Sequence, residues 1–110
     1  MKFIIILLLT TLINSQTMDI NILNSFLFHP RKAAESLGEN DMLIPVNENS
    51  KVGVRFHLVN PKAPNILFFH GNGEIAPEYD DIASVYNQRE INFIIADFRG
   101  YGFSTGTPSA

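Results

Sequence analysis

Residues 65–104 read NILFFHGNGEIAPEYDDIASVYNQREINFIIADFRGYGFS, and this stretch decides the fold. Ile66–Phe69 is a continuous apolar run, the pattern of a strand covered on both faces of an α/β sheet. Gly71-Asn72-Gly73 interrupts it. From Ala76 to Gln88 the apolar spacing becomes helical, with Tyr79, Ile82, Ala83 and Tyr86 on one stripe. Pro77 falls in the first turn, where its missing N–H needs no partner. Glu78, Asp80 and Asp81 suit the positive end of the helix dipole and read as capping groups rather than catalytic ones. Phe93–Ala96 is the next buried strand, which completes a βαβ unit of about thirty residues. Such a crossover implies parallel pairing and right-handed connection. Ligands in open sheets of this kind collect at the carboxyl ends of strands. Two segments lie at such ends: His70-Gly71-Asn72-Gly73-Glu74, and Asp97-Phe98-Arg99-Gly100-Tyr101-Gly102-Phe103-Ser104.

Upstream the period changes to two. Met42, Ile44 and Val46, then Asn47-Glu48-Asn49-Ser50, then Val52, Val54, Phe56 and Leu58 predict a β-hairpin with one buried face between Asp41 and Val59. His57 falls on the opposite face, as a solvated strand residue. Asn60-Pro61-Lys62-Ala63-Pro64 is a turn-forming linker. A short helix is predicted from Asp19 to Leu27, with Ile20, Leu23 and Leu27 at helical spacing, and Pro30 disfavours its continuation past Phe28. Met1 and Lys2 lead into Phe3–Ile13, eleven residues in which only Thr10 and Thr11 are polar. That is the layout of a secretory signal peptide cut after Ser15, and it is too short for a bilayer span of ~20 residues. The alternative is a true start at Met18. The chain therefore divides into a leader or mis-assigned start over 1–17, an N-terminal helix and linker over 18–40, and an α/β unit over 41–110. The leader implies a secreted or endomembrane protein, and a Met18 start a cytoplasmic one.

A chain of 110 residues has room for one small domain. A net charge of −3 leaves no basic stripe, which argues against a nucleic-acid partner. With no cysteine there is no disulfide, thiolate metal site or cysteine nucleophile. His29, His57 and His70 are too far apart for a local metal pair, so no metal is expected.

Two motif matches compete. Gly71-Asn72-Gly73-Glu74-Ile75-Ala76 followed by Asp97 imitates a dinucleotide-binding fingerprint. That chemistry needs a helix rising straight from the glycines so that its amides face the pyrophosphate, and Pro77 removes one of them. Gly102-Phe103-Ser104-Thr105-Gly106 satisfies G-x-S-x-G, the nucleophile-elbow pattern. Ser104, however, lies well past the strand end, Thr105-Gly106-Thr107-Pro108 is a poor helix start, and no acid or histidine follows. Ser104 reads as a loop residue satisfying backbone groups, and no cofactor is expected.

FFHGNGE after the third strand and ADFRGYGFSTG after the fourth resemble the N-terminal part of an α/β-hydrolase, near the serine-aminopeptidase and monoglyceride-lipase-like branch, over Asp41 to Ser109. The resemblance implies a serine hydrolase acting on a small-molecule ester or amide. It places an oxyanion-hole backbone N–H at Asn72, a supporting turn of His70, Gly71 and Gly73, and a mainly structural loop containing Asp97, Arg99, Gly100, Gly102 and Ser104. Arg99 is expected to pair with Asp97 or with carbonyls. The serine, acid and catalytic histidine of the family have no counterpart among these residues, so no catalytic residue lies within the chain and the implied enzyme is longer. The third strand of the family pairs with a fifth, which predicts an open sheet edge here and self-association through it. A catalytically inactive binding or pairing module is the alternative reading, and a dinucleotide-binding βαβ fragment a further one.

Overall fold

The computed structural model describes residues 19–109. The expected leader and the alternative start at Met18 lie outside them. Helix α1 covers Ile20–Leu27, β1 Asp41–Pro45, β2 Lys51–His57 and β3 Asn65–Phe69; a 3-10 turn at Ala76–Tyr79 runs into α2 at Asp80–Asn87, and β4 is Asn92–Ala96. The four strands form one mixed sheet in the order β1-β2-β4-β3. β1 and β2 are antiparallel, as are β2 and β4, while β3 and β4 run parallel, as the crossover requires.

Register assigns the faces. Ile66 and Phe68 pair with Phe93 and Ile95, which pair in turn with His57 and Arg55 on β2. This face packs against the 3-10 turn and α2, with Ala76, Ala83, Phe93 and Ile95 buried and Tyr79 and Tyr86 partly so. The Phe93 ring lies 5.2 Å from Tyr86 and 5.5 Å from Phe68, within the range of favourable aromatic pairs. Ala83 has no exposed surface and packs in the cluster with Phe93 and Ile95 of β4. Ile82 turns outward instead of joining the stripe, since the helix begins only at Asp80 and its inner face is set by Tyr79, Ala83 and Tyr86.

Three sequence expectations change here. The hairpin buries its apolar face only at Val54: Met42, Ile44, Val46 and Leu58 are exposed, and the side toward α2 carries Gly53, Arg55 and His57. That arrangement is tolerated because the Arg55 guanidinium is saturated, bonding Asp41 at 2.7 Å, Glu35 at 2.9 Å and Asp80 at 3.1 Å, with the Phe103 ring 5.7 Å away. The Asp41 carboxyl, opposed by burial but bonded to Arg55 and to the Gly38 N–H, is held below its ordinary pKa of 3.8. β3 is covered on one face only, because Leu67 and Phe69 project from the side opposite α2 and stay 60% and 56% exposed. His57 is not solvated: it packs 6.2 Å from Phe93, with Nε2 3.3 Å from Asp80 Oδ1.

The acidic cluster also acts differently from expectation. Neither the 3-10 turn nor α2 has a side-chain cap; Asp80 serves Arg55 and Glu78 pairs with Arg31. Asn92, which sequence reading passed over, fixes the turn before β3. Its buried carboxamide accepts from the Val59 and Asn60 N–H groups and donates to the Asn60 carbonyl and Asn65 Oδ1.

Candidate functional site

The carboxyl ends of β3 and β4 lie side by side, and each carries one of the two glycine-containing segments. After Phe69 the chain buries His70 and then turns at Gly71-Asn72-Gly73-Glu74, closed by the Glu74 N–H donating to the Gly71 carbonyl at 3.1 Å. Gly73 has φ +83°, in the left-handed region. The Asn72 side chain staples this turn to its surroundings. Its Nδ2 donates to the Leu27 carbonyl at 2.8 Å, while Oδ1 accepts from the His29 N–H at 3.1 Å and from the Tyr101 hydroxyl at 2.5 Å. The Asn72 backbone N–H has no acceptor among the described residues. An amide left unpaired at the mouth of a sheet suits a developing negative oxygen.

β4 ends in Asp97, whose side chain is buried. Oδ1 accepts from the Ala76 N–H at 2.8 Å and lies 2.9 Å from His70 Nε2, while His70 Nδ1 faces the Gly71 carbonyl at 2.9 Å. Both groups facing the ring are acceptors, a carboxylate oxygen and a carbonyl. Burial pushes the His70 pKa down, but the Asp97 carboxylate and the Gly71 carbonyl, with the charges of Asp97 and Glu74, outweigh that and raise it above the ordinary 6.5. Arg99 does not pair with Asp97, whose side chain is buried; it bonds Ser109 Oγ at 3.0 Å. Ser104 is buried. Its hydroxyl accepts from the Gly53 N–H and donates to the Asp97 carbonyl, both at 2.8 Å, so it has neither a free proton acceptor beside it nor access to substrate. Gly100 and Gly102 have φ +83° and +53°. The loop therefore returns under β2 rather than entering a helix.

The feature least legible in sequence is the segment from Leu27 to Ala33. It crosses both turns as a strap: the Gly102 N–H donates to the Arg31 carbonyl at 2.7 Å and the Ala33 N–H to the Gly102 carbonyl at 3.2 Å. Lys32 Nζ reaches the Ser104 carbonyl at 2.8 Å, and Arg31 bonds the Gly73 carbonyl at 2.9 Å and Glu78. Pairing of this kind uses backbone groups, which leave no residue-type signature. Leu27 and Phe28 border a cleft of about 390 Å³ that also touches His70, Asn72, Phe98 and Tyr101.

The arrangement limits the chemistry. With no exposed side-chain surface, His70 is out of reach of a nucleophile; it positions the turn. A phosphate-binding role for Gly71–Ala76 is disfavoured by two contacts: the Ala76 N–H is spent on Asp97, and Asp97 points inward where a ribose would need it. Among the described residues no group of three His, Asp or Glu side chains could hold a metal ion.

Two measurements probe the site directly. Tyr101→Phe removes the hydroxyl that clamps Asn72, with an expected loss of about 1 kcal/mol in urea unfolding and faster amide exchange at Asn72 and His29. Unchanged exchange at both would show that the clamp does not hold the turn. pH acts with opposite signs on His57 and His70. His57, buried more than Asp80 compensates for, has a pKa below 6.5 and penalises the fold at low pH; that penalty is relieved as pH rises toward 6.5. His70, with its raised pKa, stabilises fully below 6.5 and loses that contribution as pH rises through its folded value. Unfolding free energy should rise and then fall across this range, and imidazole NMR shifts should place the His70 midpoint above that of His57. A reversed order would refute the ion-pair assignment.

No family model matches the chain, and no solved structure matches it.

Proposed function

We propose that the chain is the N-terminal part of an α/β-hydrolase, in which a serine outside these 110 residues attacks a small-molecule ester or amide and forms an acyl-enzyme. The observation that carries this reading is the convergence of the Asn72 turn and the Asp97–Ser104 loop at the carboxyl ends of two parallel neighbouring strands, beside an apolar cleft. The Asn72 N–H is the oxyanion donor. His70 and Gly71 set the pitch of the turn, and Gly73 allows its left-handed exit. Asp97, Gly100, Gly102 and Ser104 build the wall beside it, with Arg99 at its rim. The second oxyanion donor, the nucleophile, the acid and the base come from elsewhere. β3 has β4 on one side and nothing on the other among the described residues, the place a further strand of the sheet takes in such a hydrolase.

A fluorophosphonate probe is the direct test, because it labels only an activated serine. The isolated 110-residue chain should remain unlabelled and show no esterase activity above buffer. Labelling of Ser104 would overturn the reading by making the G-x-S-x-G loop the nucleophile after all.

The same open edge favours a second reading, a catalytically inactive pairing module that self-associates. Asn65–Phe69 has no charge, proline or bulge to blunt it, and such an edge is a template for another strand. Sedimentation of the chain across a concentration series separates the two, since a monomer at all concentrations would remove this alternative.

A further inference from the structure

The cleft of about 390 Å³ beside the Asn72 turn has apolar, largely aromatic walls: Leu27 and Phe28 from the strap, Phe98 and Tyr101 from the loop after β4, and Pro108. The Phe98 ring is 42% exposed, yet it is held by His70 at 4.8 Å and Tyr101 at 6.0 Å, so it offers a preformed apolar face. The acceptors around the turn are already engaged. Asn72 Oδ1 takes the His29 N–H and the Tyr101 hydroxyl, that hydroxyl itself accepts from the His29 N–H, and the Leu27 carbonyl takes Asn72 Nδ2. What remains at the cleft is donors. The Asn72 N–H has no acceptor among the described residues, and the Arg99 guanidinium, with several N–H groups in a planar fork, meets Ser109 Oγ through Nη2.

Charge points the same way. Among the described residues no Asp or Glu lines the cleft, and His70, which borders it, has no exposed side-chain surface and faces Asp97. The acids of the two flanking segments are held elsewhere, Asp97 on His70 and the Ala76 N–H, and Glu74 on the Tyr79 hydroxyl. Arg99 therefore sets the sign of the rim. A ligand that fits combines a flat apolar body with a head that only accepts hydrogen bonds. An ionised carboxylate is such a head, and its paired oxygens match the guanidinium fork. A cavity of ~150 Å³ already takes a benzene ring, so this cleft has space for a ring on a short alkyl chain. We propose that the cleft binds small apolar carboxylates of the arylalkyl class, with the carboxylate on Arg99 and the Asn72 N–H and the ring against Phe28 and Phe98. Binding of the acid needs no serine, so this site stands or falls apart from the hydrolase reading.

Titrating the isotope-labelled full chain with phenylacetate should shift the amide signals of Asn72, Phe98 and Arg99, with the millimolar affinity usual for so small a ligand. Phenylacetamide, its neutral isostere, should bind at least about tenfold more weakly, the scale of a lost charge-assisted hydrogen bond. Arg99→Gln should bring the acid down to the level of the amide while the spectrum stays that of a folded chain, because the Arg99 side chain bonds only the exposed Ser109 among the described residues. The acid and the amide are compared on the unaltered chain, so that result decides even where Arg99→Gln does not fold. Equal affinity for acid and amide, undiminished acid binding by folded Arg99→Gln, shifts centred on Leu67 and Phe69 of the open sheet face, or no shift at all would each overturn the proposal.

Discussion

Asp97→Ala is expected to cost about 3–5 kcal/mol, the range for removing one partner of a buried ion pair. The carboxylate has no exposed side-chain surface, and its loss affects two groups at once: it removes the charge 2.9 Å from His70 Nε2 and the acceptor of the Ala76 N–H. Where the whole stability lies near the lower end of the usual ~5–15 kcal/mol, that is enough to leave much of the chain unfolded at room temperature. Asp97→Asn separates the two losses. The carboxamide oxygen can still accept from Ala76, so its cost should be smaller than that of alanine, while the His70 pKa should fall because the charge that raised it is gone. Urea unfolding of both variants, with imidazole NMR of Asp97→Asn, reads each part. Equal costs for alanine and asparagine, or an unmoved His70 midpoint, would mean that the charge of Asp97 does not organise the site.

The second large effect is at Gly102. Its φ of +53° already disfavours any side chain, and a Cβ built there would land inside the Asp97 carboxylate. Gly102→Ala should lose about 1–2 kcal/mol from the left-handed backbone and about 1–3 kcal/mol more from forced repacking. The damage should be local in a particular way. Gly102 also exchanges backbone hydrogen bonds with Arg31 and Ala33, so the strap should loosen with it, and amide exchange at Gly102 and Ala33 should quicken together. Gly73→Ala is the contrast: it shares a positive φ, but a Cβ there meets nothing within 4 Å, so its cost should stay near the backbone strain alone.

The βαβ unit was legible because its cues are local. Ile66–Phe69 and Phe93–Ala96 announce themselves by unbroken apolarity, and Pro77 marks the 3-10 turn that leads into α2. Faces were harder. Alternation in Val52–Leu58 shows that the two sides of β2 differ, yet not which side meets the helix, and Arg55 reverses the usual choice because Glu35, Asp41 and Asp80 converge on it from three different elements. The same blindness to long-range partners applies to the site. Gly71-Asn72-Gly73 can be placed at a strand end from sequence, but the Asn72 side chain finds Leu27, His29 and Tyr101 only once the strap has folded across it. His70 and Asp97 are 27 positions apart, and nothing in either neighbourhood foretells that they meet with no exposed side-chain surface.

The hydrolase proposal is tested most directly by labelling the native gene product in its own cells with a fluorophosphonate and measuring its intact mass together with the labelled peptide. The reading expects a labelled product well above 12.3 kDa whose modified serine lies outside these 110 residues. An unlabelled product of 12.3 kDa or less, or a label on Ser104, would contradict it.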